Sequence, residues 1–426
     1  MEPTAHEGRP TGDVLARVHR EEHSRLLATL VRRVGDLDLA EEAAQEAMET
    51  ALRTWPERGV PRSPLAWLTT VATRAALDRV RRDAVHARRL AALHVQEGAA
   101  VAPPADEAAL RGEDLPDERL AMLMGCCHPA IAPADRIALM LRFVGALSTA
   151  EVAQALLVPV PTLQARITRA KRRIRGAGIP LTVPDSPQER ARRLPLVLTA
   201  ISLVFTEGYA ASSGDAPIRQ ELTAEAIRLG RILHRLQPEA AEVQGLLALM
   251  LLTEARAPAR QDAEGTPIPL EEQDRSVWDR DALSEGLALV QVAAGREDAG
   301  RFTIQAAIAA VHAEAATFEA TDWEQILALY SLLLSRGEDP VVRMNRAIAL
   351  GRARSPREGL DALRELEGEP GLAHHHPFHA ALAMFHEETG RPERAVAAWQ
   401  RALELADNAA EQRFLTARLA RLEGAG

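Results

Sequence analysis

Cysteine is nearly absent: 426 residues contain two, the adjacent pair Cys126 and Cys127. Neighbouring cysteines do not suit ordinary disulfide geometry, so the chain has no oxidised framework and reads as cytoplasmic. Aromatic residues are also scarce, at 3%. Alanine, leucine and arginine dominate instead, a composition that favours helix over strand. No apolar run reaches the ~18 residues that span a bilayer, and the polar start "MEPTAHEGRPTGD" has no run suited to secretion, so no membrane partner is expected. GxxxxGK[ST], GxSxG and HExxH are all missing, which removes the nucleotidase, hydrolase and zinc-protease signatures. No catalytic residue, metal site or cofactor is therefore expected. Cys126-Cys127-His128 lacks the spacing and the fourth ligand of a zinc site and reads as a buried helix end. His374-His375-His376, beside Pro377, reads as a solvated run, and "FTEGYAASSGD" as a tight bend.

What is present is a strongly uneven charge. The net charge is −9. Residues 1–180 hold 25 basic and 23 acidic residues, a net of +2, and the remainder holds 26 and 37, a net of −11. The stretch "TLQARITRAKRRIR", residues 162–175, carries five arginines and one lysine with no acid. On a helix, Leu163, Ile167, Ala170 and Ile174 share one face. Gln164, Thr168 and Arg172 line an exposed strip, with Ala165, Arg169 and Arg173 beside it. Upstream, "STAEVAQALL" is a short amphipathic helix capped by Ser148 or Thr149, and "VPVP" ends it and opens the next helix. Two helices across a tight turn, the second basic outside and apolar inside, predict a helix-turn-helix able to enter a major groove. The alternative for the charge alone is a solvated helix face.

The pattern is helical throughout. Residues 1–12 read as disordered and residues 13–94 as one helical domain. That domain holds a helix from Val14, a second capped at Asp38, a loop "PERGVPRSP", and a third, "LAWLTTVATRAALDRVRRD". Residues 95–116 read as a linker, 117–178 as a second domain, 179–187 as another linker, and 188–426 as a helical C-terminal domain. In that last domain, Ala347, Gly359, Leu363 and Leu366 recur 36 residues later as Ala383, Ala395, Trp399 and Ala402, as stacked helical hairpins require.

The first block resembles the extracytoplasmic-function group of bacterial sigma factors, the promoter-recognition subunits of RNA polymerase. "DLDLAEEAAQEAMETAL" looks like the acidic helix of their second region, "SPLAWLTTVATRAALDRVRRD" like the adjoining −10 segment, and "TAEVAQALLVPVPTLQARITRAKRRIR" like their fourth region. "CCHPAIAP" and several C-terminal blocks are similar to a subgroup with a long tetratricopeptide-like extension, so the resemblance covers nearly the whole chain. It implies an all-α protein with a sigma region 2 domain, a sigma region 4 domain and a helical repeat domain. It also implies that Asp38, Glu41, Glu42, Gln45, Glu46, Met48 and Glu49 bind core polymerase, whose β′ clamp and β flap would be the partners. Trp67, Thr70, Arg74, Arg79, Arg81 and Arg82 would act at the −10 element of promoter DNA, although Trp67 reads on its own as a core residue. Thr162, Gln164, Ala165, Arg166, Thr168, Arg169, Arg172 and Arg173 would read the −35 element. The sequence departs from the family at Arg74 (usually Asn), at Leu157 (a turn glycine), and at Gln164 and Ala165 (usually Lys/Arg and Ser), so the promoter motif cannot be carried over. The extension is expected to be a fused regulator, intramolecular or toward another protein, whose acids could mask the basic helix. A polymerase-independent helix-turn-helix regulator with a repeat scaffold is the alternative, and a scaffold whose first half is only an adaptor is a second.

Overall fold

The computed structural model describes residues 11–93, 117–145, 147–156, 158–210 and 218–423. The disordered stretch expected at the N-terminus, the 95–116 linker, Leu157 and the end of "FTEGYAASSGD" fall wholly or mainly outside these. Among the described residues every regular element is helical, and one isolated bridge, Gln261 with Pro267, is the only β pairing. The chain divides into two compact units, residues 1–200 and 201–426.

The first unit begins with α1 (Thr11–Val34), α2 (Leu37–Arg58) and α3 (Pro64–Leu93). Their shared core is Leu26, Leu27, Leu30, Ala40, Ala44, Ala47, Trp55, Leu68 and Ala72, all 2% exposed or less. Alanines at three- and four-residue spacing on α2 let the helices approach closely. Three local expectations change. Thr11 and Gly12 already belong to α1. The N-cap of α2 is Asp36 rather than Asp38, because the Asp36 side chain accepts from the Asp38 and Leu39 amides at 2.8 and 3.1 Å. The helix also runs through Pro56 to Arg58, since a proline in the last turn forfeits only one ladder bond, and Gly59 (φ 79°) then ends it.

The unit continues with α4 (Glu118–Cys126), α5 (Pro133–Phe143), α6 (Thr149–Ala155) and α7 (Val160–Ala177), with α8 (Pro187–Tyr209) leading out of it. The two blocks that the sequence separates by a linker form one compact unit. At the α1–α4 seam Glu118 accepts from Thr29, and from Arg32 at 3.1 Å. The stretch after α7 is also fixed. Ile179 is buried, Leu181 crosses α4 at Gly125, where a Cβ would lie 2.5 Å from the Leu181 Cα, and buried Arg193 donates to the Met124 carbonyl at 3.0 Å. Cys126 and Cys127 end α4 inside this packing, as a buried helix end should. Burial pushes the Cys127 thiol up to about 12, and burial with the neighbouring thiol pushes Cys126 higher still.

The second unit stacks α9 (Gln220–Leu236), α10 (Ala241–Glu254), α11 (Arg280–Ala294), α12 (Arg301–Glu314), α13 (Trp323–Ser335), α14 (Pro340–Ala353), α15 (Pro356–Arg364), α16 (His376–Glu388), α17 (Pro392–Leu405) and α18 (Ala409–Glu423). Glu242 of α10 caps α12 across the chain, its carboxylate accepting from the Gly300, Phe302 and Thr303 amides at 3.0 Å each. That satisfies donors a helix start leaves open. The residues recurring at offset 36 are all buried: Ala347, Gly359, Leu363 and Leu366 in the earlier copy, Ala383, Ala395, Trp399 and Ala402 in the later. The histidine run is not solvated throughout. His375 and His376 are half-buried at the start of α16, where burial holds their pKa values below the usual imidazole range.

Candidate nucleic-acid and polymerase interface

The helix-turn-helix is built as its sequence dictates. Ser148 caps α6 in a reciprocal box: its side chain accepts from the Glu151 amide at 3.2 Å, and the Glu151 carboxylate accepts from the Ser148 amide at 2.6 Å. The α7 helix starts at Val160 after Pro159, with Pro161 in its first turn, and ends at Gly178 in the left-handed region (φ 58°). Leu163, Ala170 and Ile174 are buried, and Ile167 is half-buried beside them.

The outer face of α7 holds the expected DNA-reading residues. Thr162, Gln164, Ala165, Thr168, Arg169, Arg172 and Arg173 are exposed and Arg166 is half-exposed. Two of these arginines are also used by the fold. Arg169 donates to the buried Asp135 carboxylate at 3.1 Å, and Arg173 donates to the Ala130 carbonyl at 3.1 Å. Arg166 and Arg172 make no ion pair among the described residues.

In α3, Thr70, Arg74 and Arg81 are exposed and fall on one strip at three- to four-residue spacing. Leu77, 39% exposed, lies between them and was not singled out from sequence, where it reads as an ordinary apolar helix position. An apolar side chain among guanidinium groups can take up an unstacked base. Trp67 sits beside the strip with its ring edge-on to buried Trp55, centroids 5.4 Å apart, which favours a packing role for it. Three of the α3 arginines have partners within the fold: Arg79 pairs with Glu42 at 2.7 Å, Arg81 with Asp78 at 3.6 Å, and Arg82 donates to the Asp78 carbonyl at 3.3 Å.

The acidic residues of α2 divide between two faces. Glu42, Gln45, Glu46 and Glu49, with Leu52, Arg53 and Arg79, line an open cleft of about 650 Å³, and Met48 is half-buried nearby. Leu52 is 55% exposed and is a second residue that sequence reasoning passed over. Asp38 and Glu41 instead face α7. Lys171 donates to Asp38 at 2.9 Å and to Glu41, and Arg142 of α5 reaches Glu41 at 3.3 Å. Arg175 binds Asp36 through Nε at 2.7 Å and through Nη2 at 3.1 Å, and also pairs with Asp38. Burial opposes charge on Asp36 and Lys171, yet their hydrogen bonds win. The Arg175 bond and the Leu39 and Asp38 amides lower the Asp36 pKa, and the Glu41 and Asp38 bonds raise that of Lys171. The Asp36 hydrogen bond and charge raise Arg175 likewise. Asp36, Arg142, Lys171 and Arg175 were not among the expected site residues. The charge run flags the last two, but nothing in a sequence says which cations meet which acids.

Comparison with known proteins matches both helical blocks of the first unit to described families. Residues 18–85 match the family described as Sigma-70 region 2, residues 121–174 match Sigma-70, region 4, and residues 193–294 match a family of unknown function. An uncharacterized protein of Rhizobium meliloti is 41% identical over 397 residues, covering 92% of each chain. The ECF RNA polymerase sigma factor SigK of Mycobacterium tuberculosis is 30% identical over 154 residues, 36% of this chain and 79% of that protein. SigK of Mycobacterium ulcerans is 29% identical over 165 residues, 38% of this chain and 85% of that protein. No solved structure matches the chain.

Proposed function

The chain belongs to the extracytoplasmic-function sigma factors, with a helical C-terminal extension, and from that premise we propose that it binds core RNA polymerase and directs it to a restricted set of promoters in the cytoplasm. It acts as an initiation factor and does no chemistry of its own. In this reading the open face of α2, with Glu42, Gln45, Glu46, Met48 and Glu49, docks on the β′ clamp. The Thr70–Arg74–Leu77–Arg81 strip of α3 takes the −10 element. The exposed face of α7 reads the −35 element, with region 4 also meeting the β flap. Gln164 can pair bidentately with adenine, and Ala165 can touch a thymine methyl. The extension serves as a fused regulator.

The observation that carries this reading is one chain bearing, in family order, an open acidic face on α2 and an exposed face on α7 that presents Gln164, Thr168, Arg169 and Arg172. The test is run-off transcription by purified core polymerase on a pool of genomic promoter fragments, with and without the full chain. Discrete new transcripts are expected. Glu46→Lys should lower core affinity, and Arg172→Ala should lower promoter output while sparing core affinity. Tight duplex binding without any affinity for core would instead mean a polymerase-independent regulator. No binding to either would mean a scaffold.

A further inference from the structure

Beside its buried face, α9 carries a strip of Ala224, Ile227, Arg228, Arg231 and Arg235 at i, i+3, i+4, i+7 and i+11. Apolar residues give way to basic ones along it. The strip forms one wall of a groove of about 440 Å³, with Leu251 and Ala255 of α10 as the floor and Asp279, which caps α11, on the far side. The floor is tightly packed, Leu251 being 3% and Ala255 1% exposed. Small-ligand sites usually enclose about 300–1,000 Å³. The groove lies within residues 193–294, the segment that matches a family of unknown function.

Its charges are sorted by end. The acids stand at the Ala224 end, where Glu254 accepts from the Thr223 hydroxyl at 3.1 Å and the Asp279 amide donates to the Ala255 carbonyl at 2.9 Å. Asp279 caps α11 through Oδ1, which accepts from the Asp281 and Ala282 amides, and its Oδ2 makes no hydrogen bond among the described residues. Burial holds the Glu254 carboxyl above the usual range, against the Thr223 bond and the charge of Arg260. The bases follow toward the other end. Arg228 is held by Glu225 through two bonds of 2.8 Å, and Arg231 by Glu285 of α11 at 2.6 Å. Arg235 is exposed and makes no ion pair among the described residues. Ala224 and Arg235 stand about 16 Å apart along the helix axis. Side chains lean toward the helix N-terminus, so the Arg235 guanidinium lies several ångströms closer to the acids than its Cα does. Three or four extended residues, about 10–13 Å long, span what remains.

We propose that this groove binds a short apolar peptide with free ends, its ammonium group on Glu254 and Asp279, its side chains on Ile227, Ile232 and Leu251, and its carboxylate on Arg235. Both ends then meet a charge of opposite sign within one cavity, which suits a free peptide and not the terminus of a protein. Arg235 receives the carboxylate because Arg228 and Arg231 already hold one each. The inference goes beyond the sigma-factor reading and does not rest on it, since every residue it uses lies between Thr223 and Glu285.

The test is isothermal titration calorimetry of the full chain with the tripeptide Leu-Ala-Leu. One site is expected, with a Kd on the order of 0.1 mM, as a ligand of this size allows. N-acetylation and C-terminal amidation should each weaken binding by about tenfold, because each leaves a charged group of the groove without its partner. Arg235→Gln should weaken the free peptide by about tenfold and leave the affinity for the amidated one unchanged. Ala224→Phe, at an exposed helix position, fills the groove and should abolish binding. No saturable heat up to about 5 mM peptide overturns the proposal. Equal affinity for the free and doubly capped peptides overturns it too, and undiminished binding to Ala224→Phe puts the peptide elsewhere, with the same consequence. The capped peptides act on the unaltered chain, so that arm requires no variant to fold.

Discussion

Arg169→Ala should harm this protein twice, and the two harms are separable. Its side chain is 61% exposed and available to a phosphate or base. It also donates at 3.1 Å to Asp135, whose side chain is 7% exposed in the first turn of α5. Truncation leaves that carboxylate buried without its cation. A hydrogen bond to a charged group contributes about 1.5–3 kcal/mol. The exposed arginine end lowers this, as does the α5 dipole, which continues to favour an anion at that position. We expect a loss of about 1–2 kcal/mol, which for a unit of this size lowers Tm by roughly 3–6 °C. Arg172→Ala is the control. Arg172 is exposed and has no ion-pair partner among the described residues, so its loss should stay within about 0.5 kcal/mol. Each substitution should also flatten the salt dependence of promoter binding by about one phosphate contact. Thermal unfolding followed by circular dichroism, beside DNA titrations at several salt concentrations, reads both effects. Adding Asp135→Asn to Arg169→Ala should recover most of the Tm but none of the DNA affinity. Equal melting of the Arg169 and Arg172 variants, or failure of Asp135→Asn to rescue, would refute the reasoning.

Three further outcomes follow from packing and titration. His23 has its pKa lowered from 6.5 to about 3 by burial, then by His19 and Arg142, and its Nδ1 is buried without a hydrogen-bond partner. The unfolded chain takes up this proton first, so the stability is present above pH 6.5 and is lost as pH falls toward 3. The loss is on the order of 4 kcal/mol by pH 3.5, and His23→Gln should flatten that part of the denaturant-midpoint profile. Gly351→Ala would put a Cβ 2.3 Å from Cζ of fully buried Phe385 and 3.1 Å from the Gly359 Cα. After the gain in helix propensity, unit 201–426 should lose about 1–2 kcal/mol in chemical unfolding, with partial recovery in Gly351→Ala/Phe385→Leu. Cys126 and Cys127 should resist iodoacetamide at neutral pH in the folded protein and react quickly in guanidinium, because burial holds both thiols protonated. Rapid alkylation of the folded chain would show that the α4 end is open.

The parts of this fold that could be read in advance are those set by local chemistry. The capping box at Ser148 and Glu151, the prolines around Val160, the buried face of Leu163, Ala170 and Ile174, and the small residues at offset 36 each follow from residues within a turn or one hairpin. What was misplaced also has local causes. Asp36 and Asp38 are both competent caps, and only the backbone (φ −131°, ψ 123° at Asp36) decides between them. Pro56 looked like a breaker because its cost is large in a helix interior, but it sits in the last turn. Leu77 and Leu52 were missed because exposure of a single leucine is set by what packs on its helix, which no spacing rule reports.

The charge run at residues 162–175 shows the difference most sharply. Counted in sequence, its six cations look like six charges for a polyanion. In the folded chain Arg169 is committed to Asp135, Arg173 to a carbonyl, and Lys171 and Arg175 to the acids of α2, which lie more than a hundred residues earlier. Arg166 and Arg172 are left without an ion pair among the described residues. Phosphate affinity scales with the cations that are free to release counterions, not with the number encoded. An acidic chain can therefore carry a dense basic helix and still hold it back, because the nearest competitor for those cations is its own α2. The same contacts that make the two blocks one compact unit also set how much of the recognition helix remains for DNA.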